Sequence, residues 1–188
     1  MNFTKPVLCV TAALMIAAPV FAGPKDFVAG KAIPEFGKIA HVSSDQPVYR
    51  HHKFKVAFDV SKQADAGTLN RNLVSAARFI NMHVEAGVKP KNIKLAVVLH
   101  GGAAKDVTKE TYYRASQKTG EGETALPNAN AALIKTLTEN GVEIYVCGQT
   151  AAYYDIKNED LLPGVKMSLS AMTSHALLQQ KGYTLNPF

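Results

Sequence analysis

Apolar residues recur along the chain in two different periods from residue 54 onward. Phe54, Val56, Phe58 and Val60 stand at every second position, which predicts a strand with one buried face. Residues 93–99 are almost continuously apolar, as is typical of a strand buried on both faces of a parallel sheet. The strands predicted in this way are 54–60, 93–99, 142–147, a shorter one at 165–169, and a last edge strand at 183–185.

Three longer segments repeat apolar residues at spacings of three and four, which is the pattern of a helix with one buried face. They run from residue 69 to 84 with Gly87 behind, from Pro127 to Asn140-Gly141, and from a Ser170 cap to Gln180 with Gly182 behind. Strands that alternate with helices of this length favour a parallel sheet. We therefore predict a single three-layer α/β domain over residues 54–188, with about five mainly parallel strands and helices on both faces.

The first 22 residues have the features of a cleaved secretory signal. Lys5 supplies a positive charge, residues 7–21 are apolar apart from Thr11, and Val20-Phe21-Ala22 places small residues where a signal peptidase reads. The apolar run is too short to span a bilayer as a helix. We expect a soluble, periplasmic mature chain with no membrane segment. Residues 23–53, broken by several prolines, then form an extended lead-in outside the core.

Signal removal changes the charge and the cysteine count. The mature chain would have 188 − 22 = 166 residues, and the loss of Lys5 lowers its formal charge from +6 to +5. The basic residues are scattered and do not interleave with aromatic residues, which argues against a nucleic-acid groove. Of the two cysteines, Cys9 leaves with the signal, so Cys147 remains as an odd thiol that cannot form an internal disulfide.

Chemically useful residues follow several of the predicted strands. In a parallel sheet every carboxyl end lies on the same edge, which is where open α/β folds bind ligands. His100-Gly101-Gly102 follows the second strand, and Cys147-Gly148-Gln149-Thr150 follows the third. Asp59 ends the first strand and Ser170 follows the fourth. If the second and third strands are neighbours, His100 and Cys147 lie close together.

Cys147 is the candidate nucleophile of this edge. A thiol reacts as its thiolate, which a helix N-terminus or a nearby cation stabilises. Gln149-Thr150 would begin such a helix, Gly148 would allow close approach of a bound group, and His100 would take a proton or stabilise the anion. Gly101-Gly102 allows an anion-binding turn but lacks the Lys-Ser/Thr ending of a phosphate loop. Alternatively, Cys147 is a buried residue that packs as a small hydrophobe.

The sequence resembles the DsrE/DsrF-like sulfur-relay family. The resemblance rests on 96–103 (AVVLHGGA), the helix from Pro127, 141–150 (GVEIYVCGQT) and 162–165 (LPGV), and covers about residues 54–188. It implies a compact fold with a five-stranded, mainly parallel sheet, and assembly into trimers or hexamers. It also implies that a cysteine at the position of Cys147 carries sulfur as a persulfide.

Three functional hypotheses follow from these residues and the resemblance. The first is an exported sulfur carrier or sulfurtransferase-like protein that uses Cys147 and His100, needs no cofactor or metal, and exchanges sulfur with an unidentified donor or acceptor protein. The second is a non-catalytic oligomeric module that binds a small ligand or a partner, with Cys147 as a structural residue. The third, copper or zinc binding by Cys147 and His100, has too few ligands for a closed zinc site. The polar loop 116–125 is a candidate lid, although an ordinary exposed loop is the alternative.

Overall fold

The computed structural model describes residues 23–187, which form an α/β domain. Its strands are β1 Phe54–Val60, β2 Ile93–Leu99, β3 Glu143–Cys147, β4 Val165–Ser168 and β5 Thr184–Asn186. Its α-helices are α1 Arg71–Glu85, α2 Glu110–Ala115, α3 Asn130–Glu139, α4 Gly148–Tyr153 and α5 Ala171–Gln180. The predicted signal at residues 1–22 lies outside the described residues. Within residues 23–187, no helix has both the length and the apolar character needed to cross a membrane.

All neighbouring strands of the sheet are parallel, in the order β4-β3-β2-β1-β5. The five predicted strands are confirmed: two have the predicted bounds, and the ends of the other three differ by one residue. The sheet is wholly parallel, and β5 is an edge strand as predicted. β2 and β3 are neighbours, and their last register pair is Leu99 with Val146. His100 and Cys147 each follow this pair by one residue, so they lie at matching positions on adjacent strands.

The two faces of the sheet are covered unequally. On one face, alternate residues of β1, β2 and β3 pack against α1 and α3 in the main core. On the other face, Ala57, Ala96 and Val98 pack with Leu178 of α5 and with Tyr183. The prediction of helices on both faces is confirmed, but α5 is the α-helix that packs on this second face. Asp59, Cys147 and Ser168 lie on that face, because they continue the alternation of Ala57, Tyr145 and Lys166.

The helix before β3 was predicted to start at Pro127, which is wrong, because α3 begins at Asn130. The Asn128 side chain instead forms hydrogen bonds with nearby backbone groups. Its Nδ2 donates to the carbonyl oxygens of Asp106 and Thr108, at 3.1 and 2.8 Å, and its Oδ1 accepts from the Asn130 N–H at 3.0 Å. These bonds hold residue 128 in a non-helical connection, and the helix can start only beyond it.

Residues 28–39 are part of the folded core, unlike the loose lead-in that the prolines predicted. Ile33 is fully buried and belongs to the main core, and Ile39 is 2% exposed. The buried Asn81 of α1 fixes the segment: its Oδ1 accepts from the Ile33 N–H, and its Nδ2 faces the carbonyl oxygens of Ile33, Phe36 and Gly37 at 2.9 to 3.1 Å. A side chain of α1 thus replaces the sheet or helix partners that this irregular backbone lacks.

A buried carboxyl group joins the start of α1 to the segment behind β2. Asp106 is fully buried, and its Oδ2 accepts from the Ala64 N–H at 2.9 Å and from Asn70 Nδ2 at 2.7 Å. Its Oδ1 is buried and has no hydrogen-bond partner among the described residues. Burial raises the pKa of Asp106 to about 6, although the two hydrogen bonds act in the opposite direction.

We expect this raised pKa to make the domain less stable as the pH rises. The contribution of Asp106 to the free energy of unfolding is fully present below its unfolded pKa near 3.8. It is lost as the pH rises through the folded pKa of about 6, and the total loss is about 3 kcal/mol. Asp106→Asn keeps one acceptor oxygen and removes the titration. Urea unfolding between pH 4 and 7 should therefore show a falling free energy of unfolding in the native protein and a flatter profile in the variant. Asp65→Asn, an exposed control, should keep the native slope. Equal slopes in Asp106→Asn and the native protein would contradict the assignment.

Candidate functional site

A pocket of about 450 Å³ lies at the carboxyl-end edge of the sheet. It is lined by Asp59, His100, Cys147, Gln149, Thr150, Ser170, Ala171, Met172, His175 and Leu185. Asp59, His100 and Cys147 come from distant parts of the chain, and the parallel strands β1, β2 and β3 bring them together at this edge. Four of the residues predicted from the sequence, His100, Cys147, Gln149 and Thr150, therefore share one pocket.

Cys147 ends β3 and is the N-cap residue of α4. Its side chain is buried, with a residue exposure of 6%. The turn after it depends on Gly148, because a Cβ there would lie 2.3 Å from the Ser168 carbonyl oxygen. On the side of its missing Cβ, Gly148 allows α4 to start directly beside β4, which sets the position of the thiol. The approach of a bound group to the Gly148 backbone stays a prediction.

The surroundings of Cys147 favour its thiolate. Burial raises the pKa of the thiol, but interactions with the Thr150 N–H, the Thr150 hydroxyl, and the Ala171 and Gln149 N–H groups outweigh burial and lower the pKa below its ordinary value. Two of these N–H groups belong to the first turn of α4 and one to α5. The Cys147 side chain makes no capping hydrogen bond to α4, so these N–H groups from the first turns of both helices act on the sulfur through their electrostatic effect, which favours negative charge there.

Thr150 connects the predicted glycine turn to the thiol. The Gly101 N–H donates to Thr150 Oγ1 at 3.3 Å, so the hydroxyl hydrogen is free to point toward Cys147. Gly101 has a φ of +52°, which favours glycine, and begins a 3₁₀-helical segment, Gly101–Val107. Neither Gly101 nor Gly102 is among the pocket-lining residues, and a Cβ on Gly102 would lie 3.1 Å from Gln63. In this structure Gly101 contacts the site through Thr150 and Gly102 packs against Gln63, and an anion-binding role of the two glycines stays a prediction.

Asp59 lies between two histidines. Its Oδ2 is 3.1 Å from His100 Nε2, and its Oδ1 is 2.8 Å from His175 Nε2. The histidine side chains are 33% and 14% exposed, respectively, and the Asp59 side chain is 32% exposed. Burial acts to raise the pKa of Asp59, but the hydrogen bonds from both histidines outweigh it and hold the pKa below its ordinary value. Asp59 is therefore an ionised acceptor at neutral pH.

His175 is a pocket residue that the sequence did not identify. It lies on α5, one turn after the Ser170 cap, whose Oγ accepts from the Thr173 N–H at 3.0 Å. The signal that could have found it is the single histidine in a short, otherwise uncharged helix that starts at the carboxyl edge of the sheet. The strand pattern predicts Asp59 at this edge, but no local pattern in the sequence pairs it with a histidine.

Two other expectations concern the surroundings of the site. None of residues 116–125 lines the pocket, and Gln117 instead holds the loop through two hydrogen bonds with the Leu126 backbone, at 2.6 and 2.9 Å. The loop is thus fastened beside α2 and is not a lid over Cys147. Across residues 23–187, no group of three or more His, Cys, Asp and Glu side chains is arranged to hold a metal ion.

A comparison with protein families identifies the relatives of this chain. The sequence model of the DsrE/DsrF-like family matches residues 55–187. The chain belongs to this family. A comparison with proteins of curated function finds no match.

Two of the solved structures that resemble this chain come from Methanobacterium thermoautotrophicum and E. coli. MTH1491 from Methanobacterium thermoautotrophicum, described as a protein of unknown function, is 18% identical with a TM-score of 0.52, and the match covers 72% of this chain and 100% of that one. The ychN protein from E. coli is 17% identical with a TM-score of 0.49, over 72% of this chain and 99% of that one. At such identities, the likeness to MTH1491 supports the α/β fold alone.

We expect Thr150→Val to raise the pKa of Cys147. Valine keeps the branched shape of the side chain but removes the hydroxyl, so the thiolate loses a donor and the Gly101 N–H loses its acceptor. Alkylation of Cys147 by iodoacetamide, followed against pH, should then be slower below the thiol pKa, with its midpoint at higher pH. Thr150→Ser, which retains the hydroxyl, should stay close to the native profile. An unchanged midpoint in Thr150→Val would show that the hydroxyl does not stabilise the thiolate.

Proposed function

We propose that this protein is a sulfur carrier that holds sulfane sulfur as a persulfide on Cys147. The observation that carries the proposal is the buried Cys147 thiol at the edge of the sheet, with a lowered pKa and donors from two helices. Membership of the DsrE/DsrF-like family supports a role related to sulfur relay. A buried thiol of ordinary packing function would have its pKa raised rather than lowered.

The reaction is a transfer of neutral sulfur between thiols. The Cys147 thiolate attacks the outer sulfur of a hydropersulfide, R–S–SH, and a new S–S bond forms as the old one breaks. The leaving R–S⁻ takes up a proton and departs as R–SH, while Cys147 becomes Cys147–S–SH. Attack by an acceptor thiol on the outer sulfur of Cys147–S–SH reverses this chemistry and regenerates the thiol. Neither transfer needs an external oxidant or reductant.

The residues around the thiol divide the remaining tasks. The Gln149 and Thr150 N–H groups and the Thr150 hydroxyl stabilise the thiolate, and later the persulfide anion. His100 lies in the same pocket, where it receives or returns the proton of the incoming or leaving thiol. Gly101, Gly102 and Gly148 support this arrangement through the turns described above.

The proposal extends to the location and assembly of the protein. The signal-like pattern of residues 1–22 supports export and action in the periplasm. The resemblance to the family supports a homo-oligomer, a trimer or a hexamer, that works with a donor or acceptor protein of the sulfur pathway. Met172 and Leu185 line the pocket and are 80% and 47% exposed, which suits contact with such a protein partner.

Replacement of Cys147 by serine should abolish sulfur loading and leave the fold intact. The protein would be incubated with a small-molecule hydropersulfide, digested, and examined by mass spectrometry for one added sulfur atom on the peptide that contains residue 147. We expect this addition in the native protein and its absence in Cys147→Ser, whose circular dichroism should match the native spectrum. Serine is nearly isosteric, so loss of loading would report the chemistry. Retained loading in the variant would contradict the proposal.

A binding module without sulfur chemistry is the second candidate. The low exposure of Cys147 and the exposed apolar side chains of Met172 and Leu185 favour it, because they describe a site that buries a partner rather than one open to solvent. This candidate predicts a thiol that alkylates only on unfolding and gains no sulfur. The same mass-spectrometric experiment therefore distinguishes the two candidates.

The charge of the pocket predicts which sulfur donors it accepts. Asp59 is the carboxylate among the lining residues, and none of them is lysine or arginine. A doubly negative donor such as thiosulfate would meet this carboxylate without a compensating cation. We expect loading of Cys147 by glutathione hydropersulfide to be faster than by thiosulfate, with initial rates compared by mass spectrometry. A cysteine-containing peptide is the control for intrinsic donor reactivity. Faster loading by thiosulfate, relative to that peptide, would contradict this reading of the pocket.

A further inference from the structure

Asp59 is shared by two histidines that come from different parts of the fold. Asp59 is on β1, His100 follows β2, and His175 is on α5. Each histidine contacts a different oxygen of the carboxylate through its Nε2, at 3.1 Å for His100 and 2.8 Å for His175. The carboxylate thus fastens the end of β2 and the covering helix α5 to the end of β1.

An ionised carboxylate can only accept hydrogen bonds. Both Nε2 atoms that face Asp59 must therefore carry hydrogen, whether the imidazole is neutral or protonated. In a neutral imidazole with hydrogen on Nε2, the lone pair is on Nδ1. One residue consequently determines which nitrogen is the acceptor in both rings of the pocket.

The second ring nitrogen of His175, Nδ1, is an independent observation that relates this arrangement to function. His175 Nδ1 is buried and has no hydrogen-bond partner among the described residues. Buried polar atoms in native proteins are normally satisfied, so an unsatisfied one in a pocket-lining residue marks a place for a hydrogen-bond donor that the described residues do not supply. Since Nδ1 is an acceptor in this tautomer, the group that fills this place must donate a hydrogen.

We propose that Asp59 is a positioning residue that holds His100 and His175 as Nε2–H tautomers, so that Nδ1 is the acceptor nitrogen of each ring for the S–H proton of a thiol that reacts at this edge, Cys147 during loading and the acceptor thiol during release. The tautomer assignment stands on the hydrogen-bond geometry alone, and the identity of the S–H group rests on the proposed function. In the transfer, the proton moves from sulfur to Nδ1, and the imidazolium formed is offset by the charge of Asp59.

The pocket contains few other groups that could titrate with this set. Among its lining residues, the ionisable side chains are Asp59 from β1, His100 behind β2, Cys147 from β3 and His175 from α5. The lining residues from α4 and β5, Gln149, Thr150 and Leu185, do not ionise. A change in the pH profile of Cys147 in an Asp59 variant can therefore be attributed to this set of groups.

The test reads the tautomers directly by nuclear magnetic resonance of the protein labelled with ¹⁵N-histidine. At about pH 8.5, where an ordinary imidazole is neutral, the ring nitrogen shifts distinguish Nε2–H from Nδ1–H. We expect both His100 and His175 to be Nε2–H in the native protein. Asp59→Asn retains the shape but offers one acceptor and one donor, so one of the two histidines should change to Nδ1–H. Glu143→Gln, which removes a carboxylate bonded to the Tyr145 hydroxyl at the other end of β3, should change neither.

The rate of sulfur loading on Cys147 is measured in the same variants. Asp59→Asn should slow sulfur loading of Cys147 several-fold and shift its pH profile, while Glu143→Gln keeps both. An Nδ1–H tautomer for either histidine in the native protein would overturn the proposal, even if Asp59→Asn does not fold. Unchanged tautomers in a folded Asp59→Asn would also overturn it. In Cys147→Ser the native tautomers should persist, so the tautomer assignment can be tested separately from sulfur loading by Cys147.

Discussion

The parallel register of β1, β2 and β3 is the constraint on which the site depends. It fixes the ends of these strands relative to one another, so that Asp59, His100 and Cys147 reach the same edge on the same face. In a parallel sheet a slip of one residue would turn each side chain to the other face, away from its partners. The buried alternation of the strands against α1 and α3 prevents such a slip. The main core, which contains none of the reactive groups, thereby sets the geometry of the site on the opposite face.

The face that carries the chemistry is also the thinly covered one. α5 packs there alone among the α-helices, and it contributes His175 and the N–H of Ala171 to the pocket. Its attachment at this edge relies on polar contacts, chiefly the Ser170 cap and the bond from His175 to Asp59. Hydrogen bonds of this kind hold the helix against small displacements, but breaking them exposes little apolar surface to water. The helix that shields the thiol is thus held by the same carboxylate that orients the histidines.

Much of the fold was readable from the sequence, because the elements follow simple periods. The near-continuous apolar run of β2 reflects burial on both faces of the sheet, and the apolar stripe of α1 reflects burial of one helix face; each leaves a local signature in the sequence. Cys147 was recognisable for the same reason, as a thiol at the end of such a run. Asn128, Asp106 and Asn81 gave no comparable signal. Each is polar yet buried, and its role depends on backbone groups 20 or more residues away. The pairing of His175 with Asp59 spans 116 residues and depends on where α5 returns across the sheet.

The attachment of residues 28–39 to α1 means that the family match and the folding unit have different limits. The match starts at residue 55, whereas Ile33 fills a place in the core and Asn81 bonds to the backbone around it. A fragment cut at the start of β1 would leave a cavity where Ile33 sits and an amide without partners inside the protein. The short stretch behind the predicted cleavage site therefore completes the core on the side of α1, where it fills the space occupied by Ile33 and satisfies the buried Asn81 amide.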